Sequence, residues 1–151
     1  MNHQLLCVGH KAPDWVNQGI EQYTKRLRPG LVTQLLAPSK HSDSDRRKAD
    51  EARLIESKLP KGAWVIALDE RGRQFSSREL SQAYAKWVGQ GQPLAFVIGG
   101  ADGLHDDIRS RANALWGLSQ LTLPHALVRV FMAESLYRSQ ALLAGHPYHR
   151  D

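Results

Sequence analysis

The chain has 151 residues, 42% of them hydrophobic and 23% charged, with 20 Lys and Arg against 15 Asp and Glu for a formal net charge of +5. Those values fit one soluble globular domain spanning 1–151, with core enough to fold alone, and the modest basic excess permits a polyanionic partner without requiring one. The single Cys7 excludes an intrachain disulfide framework. No apolar run is long enough to cross a bilayer, and "MNHQLLCVGH" lacks the basic start and apolar core of a signal peptide, so a cytoplasmic protein is expected.

"QLLCVG" (4–9) reads as a strand. Pro13 and Asp14 then open a helix with Val16, Ile20, Tyr23 and Leu27 at helical spacing, stopped by Pro29-Gly30. "LVTQLLA" (31–37) is a second strand. A charged helix follows over 43–59, with Ala52, Ile55 and Leu59 on one face, and Pro60-Lys61-Gly62 breaks it. "AWVIALD" (63–69) is nearly all apolar, as a central strand of a parallel sheet is. Ser76 and Glu79 have capping-box spacing and open a helix that runs to about Gln90.

"PLAFVIGG" (93–100) is a fourth strand running into glycines, "LHDDIRSRAN" (104–113) a short helix, and "ALWGLS" (114–119) a fifth strand. "QLTLPH" is a loop, and 126–142 form the last helix. Strand and helix alternate about five times, which predicts an α/β fold: an open, mainly parallel sheet with helices on both faces. Ligands of such sheets bind beyond the carboxyl ends of the strands. The loops there, "DERGR", "GGADG" and "SQLTLP", are the first candidates for a site.

Each of these loops has two readings. The glycines of "GGADG" suit a tight turn, or a backbone brought close to a ligand, where a side chain at Gly100 would fill space the ligand needs. The spacing is G-G-x-x-G rather than the dinucleotide fingerprint. "LSQLTLPH" is either a buried connection or the wall of a site for a flat apolar group. The last helix is apolar on most sides over 127–133, so one face is expected on the sheet and another on a second subunit. Glu134 and Arg138 are spaced to pair, whereas Arg129 and Glu134 are not.

The chain closes on "GHPYHRD", with two imidazoles, a phenol and a guanidinium around Pro147. A frayed end is the default for such a segment, but Pro147 and Tyr148 suit a packed one. His146-x-x-His149 is half of a metal-site spacing. No Cys or carboxylate cluster completes it, so no metal is expected.

Taken in order, "VGHKAPDWV", "LDERGRQFSS", "FVIGGADGL" and "LSQLTLPHALVRVFMAESLYRSQALLAGHPYHR" resemble the 23S rRNA pseudouridine N3-methyltransferases of the SPOUT, or α/β-knot, class, over essentially the whole chain. Gly145 replaces the Asn usual there, and "GGADG" stands for "GGPEG". The resemblance implies a C-terminal trefoil knot, an exception to the rule against knots. It also implies S-adenosylmethionine as cofactor, a homodimer, and 23S rRNA in the assembled ribosome as partner. By position, the cofactor would touch Leu68, Gly100, Ser119, Gln120, Leu121, Thr122, Leu123 and Pro124. Tyr148, His149 and Arg150 would serve the substrate. Neutral His149 as base, or protonated His149 and Arg150 stabilising an anion, both remain open. The reading from the residues alone allows a non-enzymatic nucleotide-binding α/β module.

Overall fold

Five strands lie in the order β2-β1-β4-β3-β5, and every neighbouring pair is parallel. This computed structural model describes residues 1–149, the side chain of His149 excepted. In chain order the elements are β1 (His3–Val8), α1 (Asp14–Thr24), β2 (Leu31–Leu36), α2 (Ser44–Lys58), β3 (Trp64–Arg73), α3 (Ser77–Gly89), β4 (Leu94–Ile98), α4 (Asp106–Arg111), β5 (Ala114–Trp116) and α5 (His125–Leu143), with a closing 3-10 turn at Pro147–His149.

Two cores sandwich the sheet. On one face Leu5, Cys7, Ile66 and Phe96 pack against Tyr84 and Trp87 of α3 and Met132 and Leu136 of α5. On the other, Leu6, Val8, Val65 and Val97 pack against Ala52 and Ile55 of α2 and Ile108 of α4. Alternate residues of each strand serve opposite faces, as the period of two demands. The helices after β3 and β4 therefore lie on opposite faces, α3 on one and α4 on the other. The carboxyl ends of these adjacent strands are a topological switch point, where open α/β sheets form their crevice.

The local signals mostly hold. Asp43 accepts from Arg46 N–H at the start of α2, and Ser76 with Glu79 forms a full capping box on α3. Leu27 is fully buried, but it lies beyond the end of α1, in the turn closed by Leu27 N–H to Thr24 O. The strand 63–69 is interior, although β4 rather than β3 occupies the middle of the sheet.

Two boundaries differ from the reading of the sequence. β3 runs on through "DERGR" to Arg73, and β5 stops at Trp116, short of Ser119. The reason is a close crossing. Beyond an irregularity in register, Arg73 pairs with Trp116. At the crossing, a Cβ on Gly72 would stand 2.6 Å from the Leu115 carbonyl carbon, and one on Gly117 would stand 2.7 Å from Gly72 O. Only residues without side chains allow two backbones to meet so closely.

Candidate functional site

Beyond the ends of β3, β4 and β5 lies a cleft of about 660 Å³. It is walled by the last part of β3 with Gln74 (Asp69 to Gln74 in part) and by the loops Gly99 to Leu104 and Leu118 to Leu123. Lys48 of α2, Arg109 of α4 and Val128 of α5 complete the lining. The volume falls in the range of sites for small organic ligands.

Each wall is held by its own contacts. In the glycine loop, Gly103 N–H donates to Gly100 O at 3.0 Å. Arg47 of α2 grips the same loop through Asp102, with Nε and Nη2 on its two carboxylate oxygens at 2.8 and 3.1 Å. The hydrogen bond from Arg47 holds the Asp102 carboxyl below the usual carboxylate range. Asp69 accepts from Arg71 N–H at 2.8 Å and from Arg109 Nη1 at 3.2 Å, tying the end of β3 to α4. Arg109 also donates to Leu104 O and pairs with Asp106, so its donors are committed to structure. In the third wall Ser119 Oγ accepts from Leu121 N–H at 3.0 Å. Leu121 is left 74% exposed at the rim, an apolar side chain without an intramolecular cover.

Leu68, Gly100, Ser119, Gln120, Leu121, Thr122 and Leu123 all line the cleft. Pro124 does not; it is the N-cap of α5 and directs the chain out of the loop. Gly100 needs a correction of another kind. A Cβ there would meet Glu51 Oε1 at 2.9 Å and Val8 Cγ1 at 3.2 Å, so a side chain would collide with packed protein rather than fill the cleft. Glu51 is itself buried; its Oε2 accepts from Ser39 N–H, while Oε1 has no partner.

Among the described residues of the tail, none lines the cleft. Gly145 adopts φ +71°, with Gly145 N–H to Leu142 O and His146 N–H to Ala141 O, a Schellman ending to α5. Glycine suits this left-handed position as well as Asn does. Tyr148 then folds back on α5. Its ring lies 4.6 Å from that of Tyr137, Arg138 lies 4.9 Å over its face, and its hydroxyl donates to Glu134 at 3.2 Å. Burial first, then the charge of Glu134, push the phenol up to about 12. It therefore stays neutral at ordinary pH. Glu134 also pairs with Arg138 at 2.8 Å, as their spacing foretold. Arg150 and the side chain of His149 lie outside the described residues.

Lys48 sits in a helix of alternating charge, and Arg47 pairs across 55 positions with Asp102. Among the described residues, no group of three or more His, Cys, Asp or Glu is placed to hold a metal ion. No helix among the described residues is long and apolar enough to cross a membrane.

A parallel α/β sheet with a cleft of three segments at its switch point defines a protein that binds a small organic ligand beyond its strand ends. The family described as "predicted SPOUT methyltransferase" matches residues 1–149, and the chain belongs to that family. It is a methyltransferase, and enzymes of this family take the methyl group from S-adenosylmethionine. It is 46% identical over 151 residues to ribosomal RNA large subunit methyltransferase H of Burkholderia ambifaria, covering 97% of each chain. It is 47% identical over 157 residues to the protein of the same name in Thiobacillus denitrificans, covering 100% of each.

Among solved structures, a probable methylase family protein from Haemophilus influenzae aligns with TM-score 0.58 at 15% identity, over 95% of this chain and 68% of that one. The SpoU methyltransferase AviRb from Streptomyces viridochromogenes aligns with TM-score 0.50 at 15% identity. The chain spans 96% of its own length there and 61% of AviRb. At such identities these likenesses establish the fold alone.

The cleft fits the cofactor chemically. Leu68, Trp116, Leu118, Leu123 and Val128 offer apolar walls to a flat base, and Ser119, Gln120 and Thr122 supply polar groups beside them. The three carboxylates of the lining, Asp69, Glu70 and Asp102, are matched by Lys48, Arg71 and Arg109, so the fit rests on the apolar walls and the neutral polar groups rather than on net charge.

Proposed function

We propose that this chain methylates N3 of a pseudouridine in a 23S rRNA stem-loop at the ribosomal subunit interface, on the assembled ribosome and as a homodimer. The observation that carries this reading is one cleft formed by all three expected segments, in a chain 46–47% identical over its full length to enzymes named for ribosomal RNA methylation. Leu68, Gly100 and residues 119–123 would hold S-adenosylmethionine, which supplies an electrophilic methyl group when bound. The C-terminal trefoil knot that this class implies is part of the same reading.

The protein has two tasks in such a transfer. It must align N3 with the methyl carbon, and it must take up or stabilise the charge left when the imino proton departs. N3 lies between two carbonyls, so cationic donors lower the cost of the anion. Tyr148 is poorly suited to remove the proton, being neutral and bonded to Glu134. His149 and Arg150 remain the candidates, with Tyr148 as their anchor. Because Tyr148 is docked on the middle of α5 while the cleft meets that helix at Val128, the tail is proposed to serve the partner's cleft.

The homodimer draws support from apolar surface on two helices that pack together: Trp15 of α1 is 63% exposed and Phe131 of α5 is 46% exposed.

The test is methyl transfer from labelled S-adenosylmethionine to ribosomes that lack the modification, with calorimetry in parallel. The proposal expects label in 23S rRNA and saturable S-adenosylmethionine binding. Binding of NAD or FMN instead, with no transfer, would favour a nucleotide-binding module.

A further inference from the structure

The first turns of α5 come down on the carboxyl ends of two adjacent interior strands, β1 and β4. His125 Nε2–H donates to Gly99 O at 2.7 Å, fixing the root of the glycine loop. One turn later, Arg129 is only 3% exposed. Its Nη2 donates to His10 O at 3.1 Å, and its Nε has no partner. The guanidinium lies so close to Gly9 that a Cβ there would be 2.7 Å from Nη2.

No carboxylate pairs with this buried cation among the described residues. The adjacent ionisable group, the Cys7 thiol, does not neutralise it, because burial pushes that thiol up and keeps it protonated. A buried charge without a counter-ion burdens the fold, and an apolar side chain of similar length relieves that burden. Met132 and Leu136 show that the inward side of α5 accepts such residues. Stability therefore does not account for an arginine at this position.

What the guanidinium holds is the loop between β1 and α1, residues 9–13. His10 and Lys11 of that loop are exposed, and Gly9 adjoins the cleft wall through His125 and Gly99. We propose that Arg129 is a positioning residue for the methyl acceptor: it clamps the carbonyl of His10 so that His10 and Lys11 are displayed to anionic RNA at the mouth of the cleft. This rests on the RNA-methylating reading above.

The test compares the parent protein with R129M and R129K. In R129M the melting temperature equals or exceeds that of the parent, and S-adenosylmethionine affinity stays within about twofold, because the clamp touches neither the ligand loops nor the core balance. Amide hydrogen exchange in residues 9–12 rises by about tenfold or more as the loop is released. Methylation of ribosomes falls by about thirtyfold in kcat/KM, mainly through KM, as expected when an acceptor-facing loop loses its place. R129K retains a donor for the His10 carbonyl and recovers part of both the exchange protection and the rate.

An R129M protein that fails to fold or melts below the parent, or one whose loop exchange is unchanged, overturns the proposal and makes Arg129 a structural staple. The melting and exchange measurements need no methyl acceptor. A parent protein that does not methylate ribosomes would therefore refute the RNA reading while leaving the clamp itself decided by those two measurements.

Discussion

Replacing Tyr148 separates an anchor from a catalyst. Three contacts hold the ring: the edge-on pair with Tyr137, the guanidinium of Arg138 over its face, and the hydroxyl bond to Glu134. Typical contributions of such contacts on a half-buried group sum to about 2–3 kcal/mol, a factor of roughly thirty to a hundred and sixty in the docking equilibrium of the tail. Tyr148→Ala removes all three, and Tyr148→Phe removes only the hydroxyl bond, about 1 kcal/mol or roughly fivefold. If Tyr148 anchors a tail that serves the substrate, transfer to ribosomes should fall about thirtyfold or more in the Ala variant and no more than about fivefold in the Phe variant. S-adenosylmethionine affinity by calorimetry should be unchanged in both. A Phe variant as damaged as the Ala variant would mean that the phenol itself takes part in proton transfer, against the neutral, bonded state assigned to it. An Ala variant with full activity would return the tail to a surface segment without a role.

Deleting 148–151 should leave the protein folded and able to bind S-adenosylmethionine while methylation falls by at least about a hundredfold, the scale of losing a positioned acid–base or charge-stabilising group. Gly72→Ala should destabilise the protein by about 3 kcal/mol in urea unfolding, because a Cβ there meets backbone at the strand crossing rather than a yielding side chain. His3, bonded to Tyr84 at 2.7 Å and with its pKa lowered to about 4 by burial, stays neutral in the fold while the unfolded chain protonates near 6.5. Its contribution is thus present above about 6.5 and lost as pH falls from there toward 4, by up to about 3 kcal/mol, and His3→Gln should flatten that slope in pH-dependent unfolding. Light scattering should give a dimer at micromolar concentration, weakened by Phe131→Asp; a stable monomer near 16.9 kDa would contradict the shared site.

The sheet was legible because its strands are apolar runs, and three of the segments that follow those runs form the cleft. The end of β3 was not legible. "DERGR" has neither alternation nor apolar content, and it pairs only because Gly72 and Gly117 let β5 cross it. Pro124 entered the cofactor set through the family resemblance, whereas a proline before a helix has its own task as a cap. Lys48 and the Arg47–Asp102 grip depend on distances in space that a helix of mixed charge does not announce. Arg129 stood out only as a charge in an apolar helix; its burial and its hold on His10, 119 positions away, required the fold.

The central claim is that this chain places a methyl group on a pseudouridine of 23S rRNA. Mass mapping of 23S rRNA from a strain lacking the gene tests it most directly, beside the same strain complemented with the intact chain. The account predicts that one fragment, carrying a pseudouridine from a subunit-interface stem-loop, is lighter by one methyl group in the deletion strain and regains it on complementation. Identical fragment masses in the two strains would contradict it.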